Sequence, residues 1–296
     1  MHEDEIIIPG EAVRRLVDQQ FPVWTDLPLR RIESAGTVNA IFRLGGELAV
    51  RLPRREADPD KTRLVLEREA AAAAELTRNS PVPVPRPVAI GAPGHGYPLP
   101  WSVQTWVDGT PASRNDPGDS VSFAGDLAGF VMALRAVPVA GRRFRGPGRG
   151  GDLPDHDDWV QACLRNSEGL VDVPRLRALW RELRDLPRDQ ADVMSHGDLI
   201  PGNVLVRDGR LAGVLDTGGF GPADPALELV AAWHLLGDRP RTVFRDRLSC
   251  GDVEWERGKA WAFEQSMGAV WYYRVTNPDM SEMARRTLDR ILRASS

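Results

Sequence analysis

The stretch MSHGDLIPGN, residues 194–203, runs without a break into Val204-Leu205-Val206. It puts a histidine, an aspartate and an asparagine directly against an apolar strand. Loops carry polar residues because water solvates them, but this one ends at the edge of a core. Polar groups there need partners or have a task. An Asp208-Gly209 turn follows, then a second apolar run, 211–216, which closes on Asp216-Thr217-Gly218-Gly219. The pattern predicts a hairpin between polar loops. Whatever fold the chain adopts must hold Asp198, Asn203 and Asp216 in fixed backbone settings.

Upstream the chain reads as β-rich. Residues 11–20 carry helical spacing, and 29–36, 39–44 and 47–53 read as strands, the last two joined by Gly45-Gly46. Residues 59–79, rich in Ala, Leu and Glu, predict a long helix that the Pro-rich segment 80–91 ends. Another strand is expected over 101–109. From residue 117 the character changes. Helices are expected over 117–137, 157–168, 174–186 and much of 225–293, with a mobile Gly/Arg/Pro loop at 138–151. The 296 residues allow two lobes with a real core. The expected fold class is α+β: a small β-rich lobe over 1–107 and a larger helical lobe over 108–296.

Several function classes lose support early. Lys61 and Lys259 are the only lysines among 38 basic residues, and neither follows a glycine loop, so no P-loop is present. Cys163 and Cys250 form neither a disulfide framework nor a CxxC pair. The net charge of −4 argues against general nucleic-acid binding. Arg135, Arg142, Arg143, Arg145 and Arg149 do form a local basic stretch, but Gly and Pro interrupt it and no aromatic platform accompanies it. No apolar run approaches a membrane span and no signal peptide is evident, so a cytoplasmic protein is expected.

Phosphoryl transfer asks for parts that this chain has. It needs a carboxylate near the attacking hydroxyl, oxygen ligands for Mg²⁺, a cation for the phosphates and a turn to cover them. Asp198 and Asn203 are five residues apart, the spacing of the two polar residues in the H-R-D-x-x-x-x-N loop of protein kinases. Asp216, at the end of its apolar strand, fits the place of the D-F-G aspartate. In Leu48-Ala49-Val50-Arg51, Ala49 and Arg51 share one face and Leu48, Val50 and Leu52 the other. Arg51 therefore stands where the kinase strand carries lysine, offering a planar fork in place of a point donor. Glu67 and Glu69 on the long helix are both near enough in sequence to pair with it, and only one can face it.

HGDLIPGN together with GVLDTGG closely resembles the aminoglycoside phosphotransferase family, small-molecule kinases with a protein-kinase-like fold. The resemblance extends over 36–54 and 219–233 and is weakest at both ends. It implies that Asp198 is the catalytic base, that Asn203 and Asp216 bind Mg²⁺, and that His196 braces the loop. It implies a nucleotide site of Ser34, Gly36, Thr37, Arg51, Glu69, Gln104 and Trp106, with Glu69 favoured over Glu67 and the backbone of 104–106 at the base edge. Asp224 and Glu228 resemble the family's acidic pair, with glutamate where aspartate is more usual; both are expected to hold backbone or arginine. The acceptor is expected against Asp155, Asp158, Glu264 and Tyr272 on the helical lobe. Acidic residues there suit a polycation, while Trp261, Trp271 and Tyr273 read as core, or as the wall of an apolar acceptor. The implied activity is transfer of the γ-phosphate of ATP or GTP to a hydroxyl of an aminoglycoside-type antibiotic. Another small alcohol as acceptor, a nucleotide-binding pseudokinase, and a binding protein using the loop 138–151 stand as alternatives.

Overall fold

The computed structural model describes residues 6–32 and 38–295. Contacts divide the chain into two units. The first comprises Met1–Arg78, Pro83–Asp108 and Leu215–Gly219; the second comprises Asn79–Val82, Gly109–Val214 and Phe220–Ser296.

In the first unit, α1 (Gly10–Gln20) precedes β1 (Leu29–Ile32), β2 (Asn39–Leu44), β3 (Leu48–Pro53), α2 (Pro59–Asn79), β4 (Pro87–Gly91) and β5 (Trp101–Thr105). The strands form one antiparallel sheet in the order β1-β2-β3-β5-β4. Gly45, in the left-handed region at φ 61°, makes the turn that joins β2 to β3. Period-two alternation sorts the faces. Phe42, Val50 and Val103 pair across the strands and pack, with Trp101, against Val13, Leu16 and Val17 of α1. The registers Ala49↔Gln104 and Arg51↔Ser102 put those four residues on the other face. Asp58 Oδ1 accepts from Lys61 N at 2.9 Å and so caps the start of α2. β5 ends four residues earlier than its sequence signal, at Thr105, and residues 33–36 of the first expected strand lie outside the described residues.

The second unit holds the helices. After β6 (Thr110–Pro111) come α3 (Val121–Arg135), α4 (Asp157–Asn166) and α5 (Val173–Leu183). Next are β7 (Val193–Ser195), β8 (Val204–Arg207), β9 (Arg210–Val214) and β10 (Gly221–Ala223), then α6 (Val230–Leu235), α7 (Asp238–Leu248), α8 (Asp252–Tyr272) and α9 (Pro278–Ala294). α3 starts later than expected because Ser120 caps it, its Oγ accepting from Phe123 N at 3.1 Å. α8 is buried on nearly every side; Gly258 lets Leu229 approach so closely that a Cβ would sit 2.4 Å from the leucine Cβ. β8 pairs antiparallel with β9 and with β6, and β7 pairs with β10. The loop between β7 and β8 carries Asp198 and Asn203. Among the described residues, no helix is long and apolar enough to cross a membrane.

Candidate active site

The first unit gathers one half of the expected constellation. Arg51, 16% exposed, donates from Nη2 to Asp216 Oδ1 at 3.2 Å and from Nη1 to Gln104 Oε1 at 3.4 Å. Asp216 itself is 51% exposed and adopts a left-handed backbone, φ 58°. That conformation is costly outside glycine and turns the chain sharply into Thr217–Gly219. Glu69 faces the same group while Glu67 is exposed, so the helix itself decides between the two. Burial raises the Glu69 carboxyl above the usual range; the Arg51 guanidinium opposes the rise and the Asp216 carboxylate adds to it. A Cβ on Gly218 would lie 2.8 Å from Glu69 Cγ, so the glycine permits this approach. A pocket of about 230 Å³ opens here, lined by Arg51, Glu69, Gln104, Thr217 and Gly218 together with apolar residues of α2, β4 and β5.

At the end of β5 the structure narrows what the sequence suggested. Thr105 N donates to Arg86 O at 2.9 Å and Trp106 N to Glu47 O at 2.6 Å. Those amides are committed to the sheet and cannot also donate to a base. The Trp106 ring lies under Arg43, 4.5 Å away, and its Nε1 donates to Asp108 Oδ1 at 2.9 Å. The positions Ser34, Gly36 and Thr37, expected to cover phosphate, lie outside the described residues.

The second unit carries the other half. Asn203 Nδ2 donates to Asp198 O at 3.0 Å and to Asp198 Oδ2 at 2.9 Å. The loop that sets this pair is fixed from below. Glu228, buried, accepts from Gly197 N at 2.8 Å and from Ser195 Oγ. Gly197 turns at φ 86°, which glycine adopts without strain. His196 is buried and accepts from Asp198 N at 3.3 Å. Asp224 accepts at Oδ2 from Arg257 Nη2 at 2.5 Å and from Trp261 Nε1 at 3.1 Å. Its other oxygen caps the turn through Ala226 N at 3.0 Å. Glu228 thus holds backbone, and Asp224 holds both backbone and arginine.

The four expected acceptor residues do not form one group. Asp155 and Asp158 are exposed on the turn before α4 and on its first turn. Tyr272, at the end of α8, is also exposed and packs edge-on to Trp271 and Tyr273. Glu264 departs from expectation: it is 4% exposed, and its Oε1 lies 3.0 Å from His156 Nδ1. A carboxylate buried against a histidine is part of the interior, not a rim for a polycation. The Glu264 contact, followed by desolvation that opposes it, leaves the His156 pKa raised. Trp261 is wholly buried, as a core residue.

Two residues at Asp198 were not singled out from sequence. Arg149 Nη2 lies 3.2 Å from Asp198 Oδ1, and Gln265 Nε2 donates to the same oxygen at 2.8 Å. They are 49 and 67 positions away in the chain, and no spacing rule reaches that far. The only sequence signal was the local run of arginines.

The profile described as "Phosphotransferase enzyme family" matches residues 29–261. An aminoglycoside 3′-phosphotransferase of Salmonella typhimurium is 29% identical over 157 residues, 47% of this chain and 53% of that protein. One from Streptomyces fradiae is 32% identical over 167 residues, 47% of this chain and 58% of that protein. The chain thus matches little more than half the length of these curated relatives. Among solved structures, the GDP complex of aminoglycoside 2′-phosphotransferase-IIIa superposes with a TM-score of 0.69 at 17% identity, covering 98% of this chain and 100% of that one. Macrolide 2′-phosphotransferase MphH from Brachybacterium faecium gives 0.63 at 20% identity, covering 95% and 97%. At such identities the likeness is one of fold.

Proposed function

Because the chain belongs to the phosphotransferase enzyme family, we propose that it transfers the γ-phosphate of ATP or GTP to a hydroxyl of a small molecule, with an aminoglycoside-type antibiotic as the acceptor. The observation that carries this reading is the Asp198–Asn203 pair. The Asp198 carboxylate is 34% exposed, so an acceptor can reach it, yet its loop is fixed by Glu228 and its Oδ2 by Asn203. A group so held suits general base work, where position decides first.

In this reading Asp198 takes the proton of the acceptor hydroxyl. The freed oxygen attacks the γ-phosphorus, the bond to the bridging oxygen breaks, and the nucleoside diphosphate leaves with the electron pair. Arg51 balances charge on the phosphates, and Gln104 and Asp216 hold its fork beside the Glu69 carboxyl. Asn203 and Asp216 each carry a hard oxygen donor of the kind that Mg²⁺ takes. When bound, Mg²⁺ would offset charge developing on the phosphate oxygens. The nucleotide, and two cysteines left as free thiols, accord with a cytoplasmic enzyme.

Exposed Asp155 and Asp158 support a cationic acceptor. A second reading has its own observation. Trp159 is 46% exposed and its ring centroid lies 6.5 Å from that of Trp271, near Tyr272, a surface suited to an apolar macrocycle. Product mass after incubation with Mg-ATP or Mg-GTP and kanamycin, streptomycin or erythromycin decides between them. Asp198→Asn should fold and bind nucleotide but transfer about 10²–10⁴-fold more slowly; full activity in that variant refutes the mechanism.

A further inference from the structure

The loop 194–206 contains no lysine or arginine, and the turn after Asp216 is Thr217-Gly218-Gly219. Neither segment brings a cation of its own to Asp198. One arrives from the Gly/Arg/Pro loop. We propose that Arg149 and Gln265 form a clamp on Asp198 Oδ1, acting as positioning residues that set the carboxylate for proton removal. The proposal rests on Asp198 being the base and adds what holds it.

The geometry closes on both oxygens. Asn203 takes Oδ2, while Arg149 at 3.2 Å and Gln265 at 2.8 Å take Oδ1. With donors on each side, the carboxylate cannot rotate about its Cβ–Cγ bond without losing them. An ionised carboxylate only accepts, so the Gln265 amide must turn its NH₂ toward it. That leaves Oε1 facing His234 Nε2, 3.0 Å away, which must then carry a proton. His234 Nδ1 lies 3.0 Å from Thr287 Oγ1, whose one proton serves either that nitrogen or Met283 O, also 3.0 Å away. The ionised carboxylate therefore sets which way the amide points, and His234 on α6 meets its other end. The histidine is 6% exposed, and burial, with the charges of Arg149 and Arg290, keeps it neutral.

The backbone on either side of Arg149 is pinned as firmly. Gly150 O accepts from Asp224 N at 2.8 Å and from Arg188 Nη2 at 3.4 Å. Gly150 has φ 113°, and a Cβ there would lie 2.8 Å from Ala223 Cβ, so only glycine fits. His156, paired with Glu264, has the Gly148 carbonyl as a second partner. Glu264 and Gln265 are neighbours on α8, so one turn of that helix anchors both jaws. The segment read from sequence as the end of a mobile loop is, in the structure, the bracket that carries a charge to the base.

Arg149→Gln, Gln265→Met and Arg149→Lys are compared with wild type, with Arg143→Gln as the control from the exposed part of the loop. Kanamycin phosphorylation and unaided nucleotide hydrolysis are both followed. Loss of the clamp should lower kcat about tenfold to a hundredfold while KM values stay within about twofold of wild type. Arg149→Lys should recover most of the rate. Unchanged kcat in both Arg149→Gln and Gln265→Met, or a loss confined to KM, overturns the proposal. A double-mutant cycle in urea unfolding, pairing each of Arg149→Gln and Gln265→Met with Asp198→Ala, reads the clamp without turnover. Coupling is expected, and strictly additive effects overturn it. If wild type transfers phosphate to nothing, the proposed function fails and the cycle alone decides the clamp.

Discussion

At the scale of single residues, two buried histidines, His234 against Gln265 and His156 against Glu264, respond to pH in opposite senses. Burial, with the Arg149 and Arg290 charges, pushes His234 down to about 4, whereas Glu264 raises His156. Between about 4 and 6.5 the unfolded chain binds a proton at His234 that the folded chain refuses, so stability falls as pH drops through that window. A depression of that size is worth about 2–3 kcal/mol at pH 4.5. His234→Gln should flatten the acid side of the stability profile, read by urea unfolding at pH 7.5 and 4.5; an unchanged slope sinks the assignment. His156 works the other way. Its contribution is full below its unfolded value and is lost as pH rises through the raised one, so His156→Gln should cost more at pH 5.5 than at pH 9. Neither role was legible in sequence. His234 lies in an apolar run and His156 in an acidic one, and what each does depends on partners 31 to 108 positions away. Asp198, Asn203 and Asp216 were legible because their setting is local: a fixed spacing within one loop, and a strand end before glycines.

At the scale of elements, periodicity carried most of the reading. The alternation in β2 and β3 gave their faces, and α2 spans the residues its composition marked, because Asp58 caps it and the proline-rich segment stops it. The element ends were harder. β5 stops at Thr105 although apolar residues continue, since pairing with β3 and β4 runs out there. The approach of α2 to the turn after Asp216 could not be read at all, because it depends on a missing side chain. Gly218 admits Glu69 at a distance no Cβ would allow. Gly218→Val should therefore push Glu69 away from Arg51, weaken nucleotide binding about tenfold and cost about 1–3 kcal/mol. Calorimetric titration and urea unfolding check the two effects separately. Wild-type nucleotide affinity in that variant would show that the packing of Glu69 has no bearing on the site.

At the scale of the whole molecule, the ordered run of motifs from the β-rich first part to the helical second part identified the fold that the solved relatives share, at identities of only 17–20%. The acceptor stayed hidden for a physical reason. Three of its four expected contacts, Asp155, Asp158 and Tyr272, are exposed side chains, and exposed positions leave no packing signature in a sequence, while the fourth, Glu264, is buried against His156. The co-substrate can be fixed independently of the acceptor. A ligand that binds only the folded chain stabilises it by about 2.7 kcal/mol at a hundred times its Kd. For a chain of this size that raises Tm by about 4–5 °C. Mg-ATP and Mg-GTP should therefore be separable by melting temperature alone, the preferred nucleotide giving the larger rise at equal concentration. With Asp216 in its proposed role, removing the metal with EDTA should abolish most of that rise, because the charge that Mg²⁺ would supply against the phosphates would be lost. Asp216→Ala should leave a smaller nucleotide shift that depends less on EDTA, since one of the two proposed oxygen donors is gone. A variant whose shift still collapses on chelation would place the metal on ligands other than Asp216.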